Sequence, residues 1–213
     1  MRTIFTNAQD AFEYMYDYIL TYGTNKSGTK FINNVNICLI NPTQNVIETP
    51  WRKWSHDYAL FEYQWYLSGN PSVKEIGKRA KIWNDIADEN GNVNSNYGYQ
   101  WQRNDQLSYV IKELMKDPNS RRACLTIYDA KESAIFKNDT PCTLNICFNI
   151  VDDKLNMTVM MRSNDLVYGF CNDQFCFSML QNYIAEYLNI PVGNYYHSVI
   201  DMHIYERHYD IKK

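Results

Sequence analysis

The 213-residue chain reads as an α+β protein, a mixed β-sheet with helices packed on it. Three observations predict this class. Stretches with apolar residues three and four apart coexist with stretches that alternate every second residue, so helices and strands are both present. The two kinds do not follow each other in regular βαβ order, which argues against a purely parallel sheet. A hairpin turn is legible at Asp152–Asp153 between two strand-like runs, so part of the sheet is antiparallel.

Taken in order, "AFEYMYDYILTYG" places Phe12, Met15, Tyr16, Ile19 and Leu20 on one helical face, and Gly23 stops the helix. "KFINNVNICLI" reads as a strand. "HDYALFEYQWYLSG" reads as a helix with Leu60, Phe61, Trp65 and Leu67 mostly inward, ending at Gly69. "QLSYVIKELMKD" is an amphipathic helix closed by "PN". "RACLTIYD" and "TLNICFNIVDDKLNMTVMMRS" read as strands, the second with Leu155, Met157, Val159 and Met161 alternating after the hairpin. "NDQFCFSMLQNYIAEYLN" is a long helix, too apolar to lie on the surface, and "YYHSVIDMHIYERHY" is a final strand. No internal repeat or low-complexity linker divides the chain, so one domain over 1–213 is expected.

Composition narrows the function classes. Hydrophobic residues make 45% and charged residues 21%, an ordinary globular balance rather than a disordered one. A net charge of −3 gives no electrostatic case for a stable nucleic-acid partner, although a local basic pocket for one phosphate is compatible with it. "MRTIFTNAQD" has no signal-peptide character and no apolar run is long enough to span a membrane. The six cysteines form no CxxC pair and mostly sit in apolar runs, so free thiols in a reducing cytoplasm are expected. The four histidines show no zinc-like spacing with them, and no metal is expected.

The chemistry begins at Cys142 in "NDTPCTLN", where Pro141 fixes the backbone and opens a strand. A cysteine there is either a small buried hydrophobe or a nucleophile. A nucleophile needs positive charge near its thiolate, and Arg121, Arg122 and Arg162 all stand at element edges. Arginine clusters also hold phosphates bidentately.

The motifs "NKSGT", "FEYQWYLSGN", "IWNDIADENGNVNSNYGYQW", "DPNSRR", "PC", "RSND", "GFCND" and "HIY" occur in this order along nearly the whole chain. Together they resemble the thymidylate synthase family, and most of all its phage deoxycytidylate hydroxymethylase branch. The resemblance implies that family's mixed sheet with a long central helix. It implies Cys142 as the nucleophile, and Glu62 ordering water and managing protons. Tyr97 would assist proton removal at C5. Arg162 and Ser163 would hold the substrate phosphate, with Asn164 and Asp165 of the same motif also at the substrate. Arg121 and Arg122 would reach that phosphate from the other subunit of a homodimer. Lys26 falls where synthases carry a further phosphate-binding arginine. His203 and Tyr205 would bind the sugar hydroxyl, and Ile82, Trp83, Asp165 and Gly169 would contact 5,10-methylenetetrahydrofolate as co-substrate. The implied chemistry is covalent: a thiolate added at C6 turns C5 of the pyrimidine into an enamine-like carbon, which takes the folate's one-carbon unit. Positioned acid–base groups then manage the protons.

Asp173 carries the substrate choice. Uracil-specific members place an asparagine there. An amide complements O4 and N3–H of uracil, whereas a carboxyl group sharing a proton complements N4–H and N3 of cytosine. A mismatched buried hydrogen-bond pattern costs about 1–3 kcal/mol. The alternative is a helix N-cap, a position Asn172 would fill equally well. The chain ends at "HIYERHYDIKK", whereas synthases continue into a tail that seals the site, so a wetter site that lets water attack is expected. Thr143 for the His after the nucleophile, Cys147 for a Gln and Asn172 for an aromatic separate this sequence from the synthases. The reading is therefore a folate-dependent hydroxymethyltransferase acting on dCMP, in the cytoplasm of an infected host if phage-encoded. The alternatives are a dUMP or dCMP methyltransferase of the same fold, or a catalytically weak nucleotide- or RNA-binding relative.

Overall fold

In the computed structural model, which describes residues 1–136 and 138–213, seven strands form one mixed sheet. They are β1 (Ile4–Phe5), β2 (Thr24–Lys26), β3 (Thr29–Leu39), β4 (Cys124–Thr126), β5 (Thr143–Val151), β6 (Lys154–Asp165) and β7 (Val192–Tyr205). Their order is β1-β3-β7-β6-β5-β4, with β2 also paired to β3. β1/β3 and β6/β7 are parallel and the other pairings antiparallel. The helices are α1 (Ala8–Tyr22), α2 (His56–Ser68), α3 (Ile82–Ile86), α4 (Tyr97–Gln102), α5 (Gln106–Lys116), α6 (Ala130–Ile135) and α7 (Cys171–Leu188). The α+β expectation holds. Each parallel pair needs a crossover, and α1 and α7 provide them.

Local chemistry explains the elements that frame the site. Asn7 caps α1 by accepting from the Asp10 amide, and Phe12, Met15, Tyr16 and Ile19 are buried as their spacing requires. Asp152 and Asp153 both take positive φ (50° and 56°), the two-residue turn that matches strand twist. That turn sets the β5/β6 register, and Leu155, Met157, Val159 and Met161 all point into the core. Val35, Ile37 and Leu39 of β3 and Tyr195, His197 and Val199 of β7 are buried with them. The alternate residues, among them Cys38, Tyr196, Ser198, Thr158, Met160 and Cys147, stay partly or fully exposed on the other face.

Several elements differ from their sequence reading. On α2 the buried positions are Ala59, Glu62, Tyr63, Trp65 and Tyr66; Leu60 and Phe61 are only partly covered and Leu67 is 43% exposed. The helix is apolar or aromatic nearly all round, so periodicity could not choose its inner face. Only Cys124–Thr126 of "RACLTIYD" forms a strand, because Asp129 then caps α6. The last strand starts earlier, at Val192, and ends at Tyr205, before a 3-10 turn over Glu206–His208. The long helix continues from a π-helical turn, Leu166–Phe170, capped by Asp165. Asn172 and Asp173 therefore lie inside helical structure, and the cap alternative for either residue does not hold.

Candidate active site

Cys142 lies at the entrance to β5, beside Arg162 of β6. The Arg162 amide donates to the Cys142 carbonyl (2.8 Å). Its guanidinium donates to the carbonyls of Pro141 (3.0 Å) and Thr140 (2.7 Å), which hold Nη2 3.8 Å from the thiol Sγ. One cation is thus locked against the thiol by backbone carbonyls. Burial still outweighs it: the Cys142 thiol is pushed up to about 11, with Arg162 lowering it and Asp173 and Asp139 raising it. At neutral pH the group therefore rests as a thiol. Of the three arginines, only Arg162 acts on it; Arg121 and Arg122 are exposed, and Arg122 pairs with Glu113 (2.9 Å).

Two further carboxyl groups follow inward: Asp173, partly buried, acts on this thiol, and Glu62, buried, acts on Asp173. Glu62, 5% exposed, accepts from Asn172 Nδ2 (2.8 Å) and from the Tyr66 hydroxyl (3.3 Å). Burial raises it to about 7 against those donors. Asn172 is itself held by the Trp54 indole N–H (2.7 Å). Tyr58 also lies against Glu62 and receives the Trp83 indole N–H (2.8 Å). Asp173 is raised to about 8, first by burial and then by the charge of Glu62, while Asn164 lowers it. Both groups therefore exchange protons near neutral pH, the range that suits acid–base work.

Asp173 is tied to a buried chain of side chains. Asn164 Nδ2 donates to Asp173 Oδ2 (2.8 Å), Asn164 Oδ1 meets His197 Nε2 (2.9 Å), and the Tyr195 hydroxyl meets His197 Nδ1 (2.6 Å). Gly169 makes room for it, since a Cβ there would lie 2.7 Å from Asn164 Nδ2. Tyr97 is buried nearby, stacked on Phe177 at 5.3 Å, and its hydroxyl is raised well above its ordinary value by burial and by the charges of Asp173 and Cys142. Asp139 fastens this region by accepting from the Ser95 amide and hydroxyl (both 2.7 Å).

At the other end of the motif, the β6/β7 register sets Ser163 beside Asp201 and Asp165 beside His203. His203 Nδ1 lies 3.1 Å from Asp201 Oδ1, and Lys26 Nζ reaches to 4.0 Å from the second oxygen. Tyr205 packs edge-on to His203 at 5.1 Å. Of the folate candidates, Trp83 packs edge-on to Trp65 at 4.8 Å, and Ile82 beside it is 58% exposed. Asp165 spends its carboxylate on the amides of Val167 and Tyr168 (3.1 Å each). A cavity of about 400 Å³ opens next to these residues, lined by Trp51, Arg52, Lys53, Tyr168, His208 and Ile211 among others. Sequence reasoning missed Asn172 as the partner of Glu62, and missed Trp54, Tyr58, Tyr195, His197, Asp201 and Asp139. Only His197 carried a signal, as a titratable residue at an inward position of an alternating strand.

Among the described residues, no group of three or more His, Cys, Asp or Glu side chains is arranged to hold a metal ion, and no helix is long and apolar enough to cross a membrane. All six cysteines are free; Cys124 and Cys147 face each other across β4 and β5 with their sulfurs 2.8 Å apart.

Residues 12–213 match the family model described as thymidylate synthase. The chain is 31% identical over 160 residues to a thymidylate synthase of Vesicomyosocius okutanii subsp. Calyptogena okutanii (strain HA), covering 71% of this chain and 60% of that protein. It is 33% identical over 169 residues to the deoxycytidylate 5-hydroxymethyltransferase of Enterobacteria phage T4, covering 72% and 68%. A thymidylate synthase of Haloferax volcanii is 26% identical over 172 residues, 68% of this chain and 50% of that protein. The matches thus span about half to two thirds of the curated relatives' length. Thermostable thymidylate synthase A from Bacillus subtilis superposes with a TM-score of 0.78 at 22% identity, over 95% of this chain and 81% of that one, a likeness of fold.

Proposed function

Because the chain belongs to the thymidylate synthase family, we propose that it modifies C5 of a pyrimidine nucleotide with a folate-borne one-carbon unit, that its base is cytosine, and that its product is 5-hydroxymethyl-dCMP. The observation that carries the choice of base is Asp173: a partly buried carboxyl group beside Glu62, raised to about 8, and so neutral at pH 7. A neutral acid offers one donor and one acceptor, which match N3 and N4–H of cytosine when the oxygen facing N3 carries the proton. The likeness to the phage hydroxymethyltransferase supports the hydroxymethyl product, and the equal likeness to synthases makes a methyl product the competing reading.

In this reading Cys142 adds to C6 of the base, with Arg162 beside the sulfur and Ser163 and Lys26 at the substrate phosphate. Arg162 serves sulfur and phosphate together. Glu62, poised near 7 and backed by Asn172 and Tyr66, holds and returns the protons that the base exchanges, and Tyr97 assists at C5. His203 and Tyr205 bind the sugar, with Asp201 orienting the imidazole. A bound 5,10-methylenetetrahydrofolate supplies the one-carbon unit. The residues fit such a co-substrate: Ile82, Trp83 and Gly169 offer contact surface, and the neighbouring cavity presents Arg52 and Lys53 to its carboxylates. Asp165 takes part by holding the turn that carries Gly169. Arg121 and Arg122, exposed in the single chain, complete the phosphate site of a second subunit in a homodimer. The uncovered face of the sheet is a surface for that pairing.

The test is mass spectrometry of products from dCMP, dUMP and CMP with methylenetetrahydrofolate, using wild type and Asp173→Asn. The expected result is a hydroxymethyl adduct on dCMP that shifts toward dUMP in the variant. A methyl adduct on dCMP would remove the hydroxymethyl assignment and leave the choice of base intact. An unchanged preference in the variant would remove the base-reading role of Asp173.

A further inference from the structure

A carboxylic acid can match either pyrimidine, depending on which oxygen carries its proton. Opposite cytosine, the oxygen facing the exocyclic group must accept from N4–H and the other must donate to N3. Opposite uracil the two roles are exchanged, with donation to O4 and acceptance from N3–H. Neutralising Asp173 therefore does not by itself choose a base. Something must choose the oxygen.

The structure contains such a device. Tyr195, His197 and Asn164 are all buried (0%, 0% and 2% exposed) and linked in series to Asp173. Burial pushes His197 down to about 3, so the ring is neutral and has one N–H and one bare nitrogen. With the Asn164 oxygen toward Nε2, that nitrogen carries the hydrogen, and Nδ1 accepts from the Tyr195 hydroxyl. Each link then points the same way: Tyr195 donates to His197, His197 to Asn164, and Asn164 to Asp173 Oδ2. The carbonyl oxygen of a carboxylic acid accepts better than its hydroxyl oxygen. Donation to Oδ2 therefore places the acid proton on Oδ1, for which no other donor is present among the described residues.

We propose that His197, acting through Asn164, is a positioning residue that fixes the proton of Asp173 on Oδ1 and leaves Oδ2 as the acceptor, the arrangement that matches cytosine with Oδ2 toward its exocyclic amino group and the Oδ1 hydroxyl toward N3. Base preference is then set by a one-way hydrogen-bond chain whose far end never touches substrate. The inference rests on the base-reading role of Asp173 proposed above. Gly169 is part of the arrangement, because a side chain there would displace the Asn164 amide.

The experiment measures tritium release from [5-³H]dCMP and [5-³H]dUMP with methylenetetrahydrofolate, for wild type, Asp173→Asn, His197→Phe and His197→Gln. Phenylalanine fills the ring's place but frees Asn164 to turn over. Glutamine keeps one donor and one acceptor. The expected result is that His197→Phe lowers the dCMP-to-dUMP ratio of kcat/KM by about tenfold or more, as loss of a buried polar match does, while His197→Gln keeps most of the preference. A wild-type ratio in a folded His197→Phe protein overturns the inference, as does equal relaxation in both variants, which would mean that any replacement there disturbs the site whether or not it keeps the donor and acceptor. If Asp173→Asn leaves the ratio unchanged, the base-reading role itself fails. If it changes the ratio and His197→Phe does not, only the present inference fails. Nitrogen-15 NMR of the wild-type imidazole gives an answer that needs no variant: the neutral Nε2–H form supports the chain, and an Nδ1–H or charged ring overturns it.

Discussion

At the scale of single residues, the site is governed by groups whose burial sets their protonation. Asp173 faces Glu62 on α2, Tyr66 on the same helix, Tyr97 on α4, Cys142, Asp165, Cys171, Cys176 and Tyr195. Its folded value of about 8 stands above its ordinary 3.8, so the acid form dominates in the folded protein at neutral pH. If Asp173 reads cytosine as proposed, kcat/KM for dCMP should fall as pH rises through about 8, where the acid proton is lost, and Asp173→Asn should lack that limb in its residual activity. The same shift bears on stability. A raised folded value favours the folded state fully below 3.8 and loses that contribution as pH climbs toward about 8. Asp173→Asn, which keeps an acceptor for Asn164, should therefore melt about 5 °C higher than wild type at pH 9, with the gap closing by pH 4. A wild type that stays level with the variant across this range would contradict the burial argument.

At the scale of elements, close backbone approach holds Tyr66 and its partner Glu62 in place. A Cβ on Gly98 would lie 1.5 Å from the Tyr66 carbonyl oxygen, so α4 can rest on α2 only without a side chain there. Tyr66 donates to Glu62 from that same stretch of α2. Gly98→Ala should cost about 3 kcal/mol or more in urea unfolding, because backbone rather than a mobile side chain blocks the added carbon. Gly28→Ala is the control: its φ of +77° is strained for alanine, but nothing lies within 4 Å, so a loss of about 1 kcal/mol is expected. Equal losses would mean that the α2–α4 contact yields more easily than its geometry indicates. The helices themselves were only partly legible. The spacing in α1 and α5 marked their inner faces, whereas α2, with aromatics on every side, hid the fact that Glu62 points inward.

At the scale of the whole molecule, the single chain displays Arg121 and Arg122 to solvent while Cys142 stands near Arg162 alone. If the two arginines complete a partner's site, two inactive proteins should repair each other. Mixing Cys142→Ser with Arg121→Ala/Arg122→Ala under exchange conditions should restore activity well above either alone, since each mixed dimer contains one site with all its residues. Sedimentation of the wild type should show a dimer. No recovery on mixing, with subunit exchange demonstrated, would exclude shared sites.

By itself the sequence determined the class of fold, the hairpin register, the inward face of β6, and the ordered set of motifs from which a candidate nucleophile and its arginine could be named. The first three follow from period and turn chemistry, which act over a few residues; the last rests on the resemblance to the thymidylate synthase family. Only the tertiary structure decided that Asn172 holds Glu62, that Asp165 caps a π-helical turn, that Asp173 lies within a helix rather than capping it, and that His197 stands behind it. Those facts depend on contacts between residues far apart in the chain, such as Glu62 with Asn172 and Asn164 with His197. Protonation near neutral pH likewise depends on water removed by the whole fold, which no local pattern records.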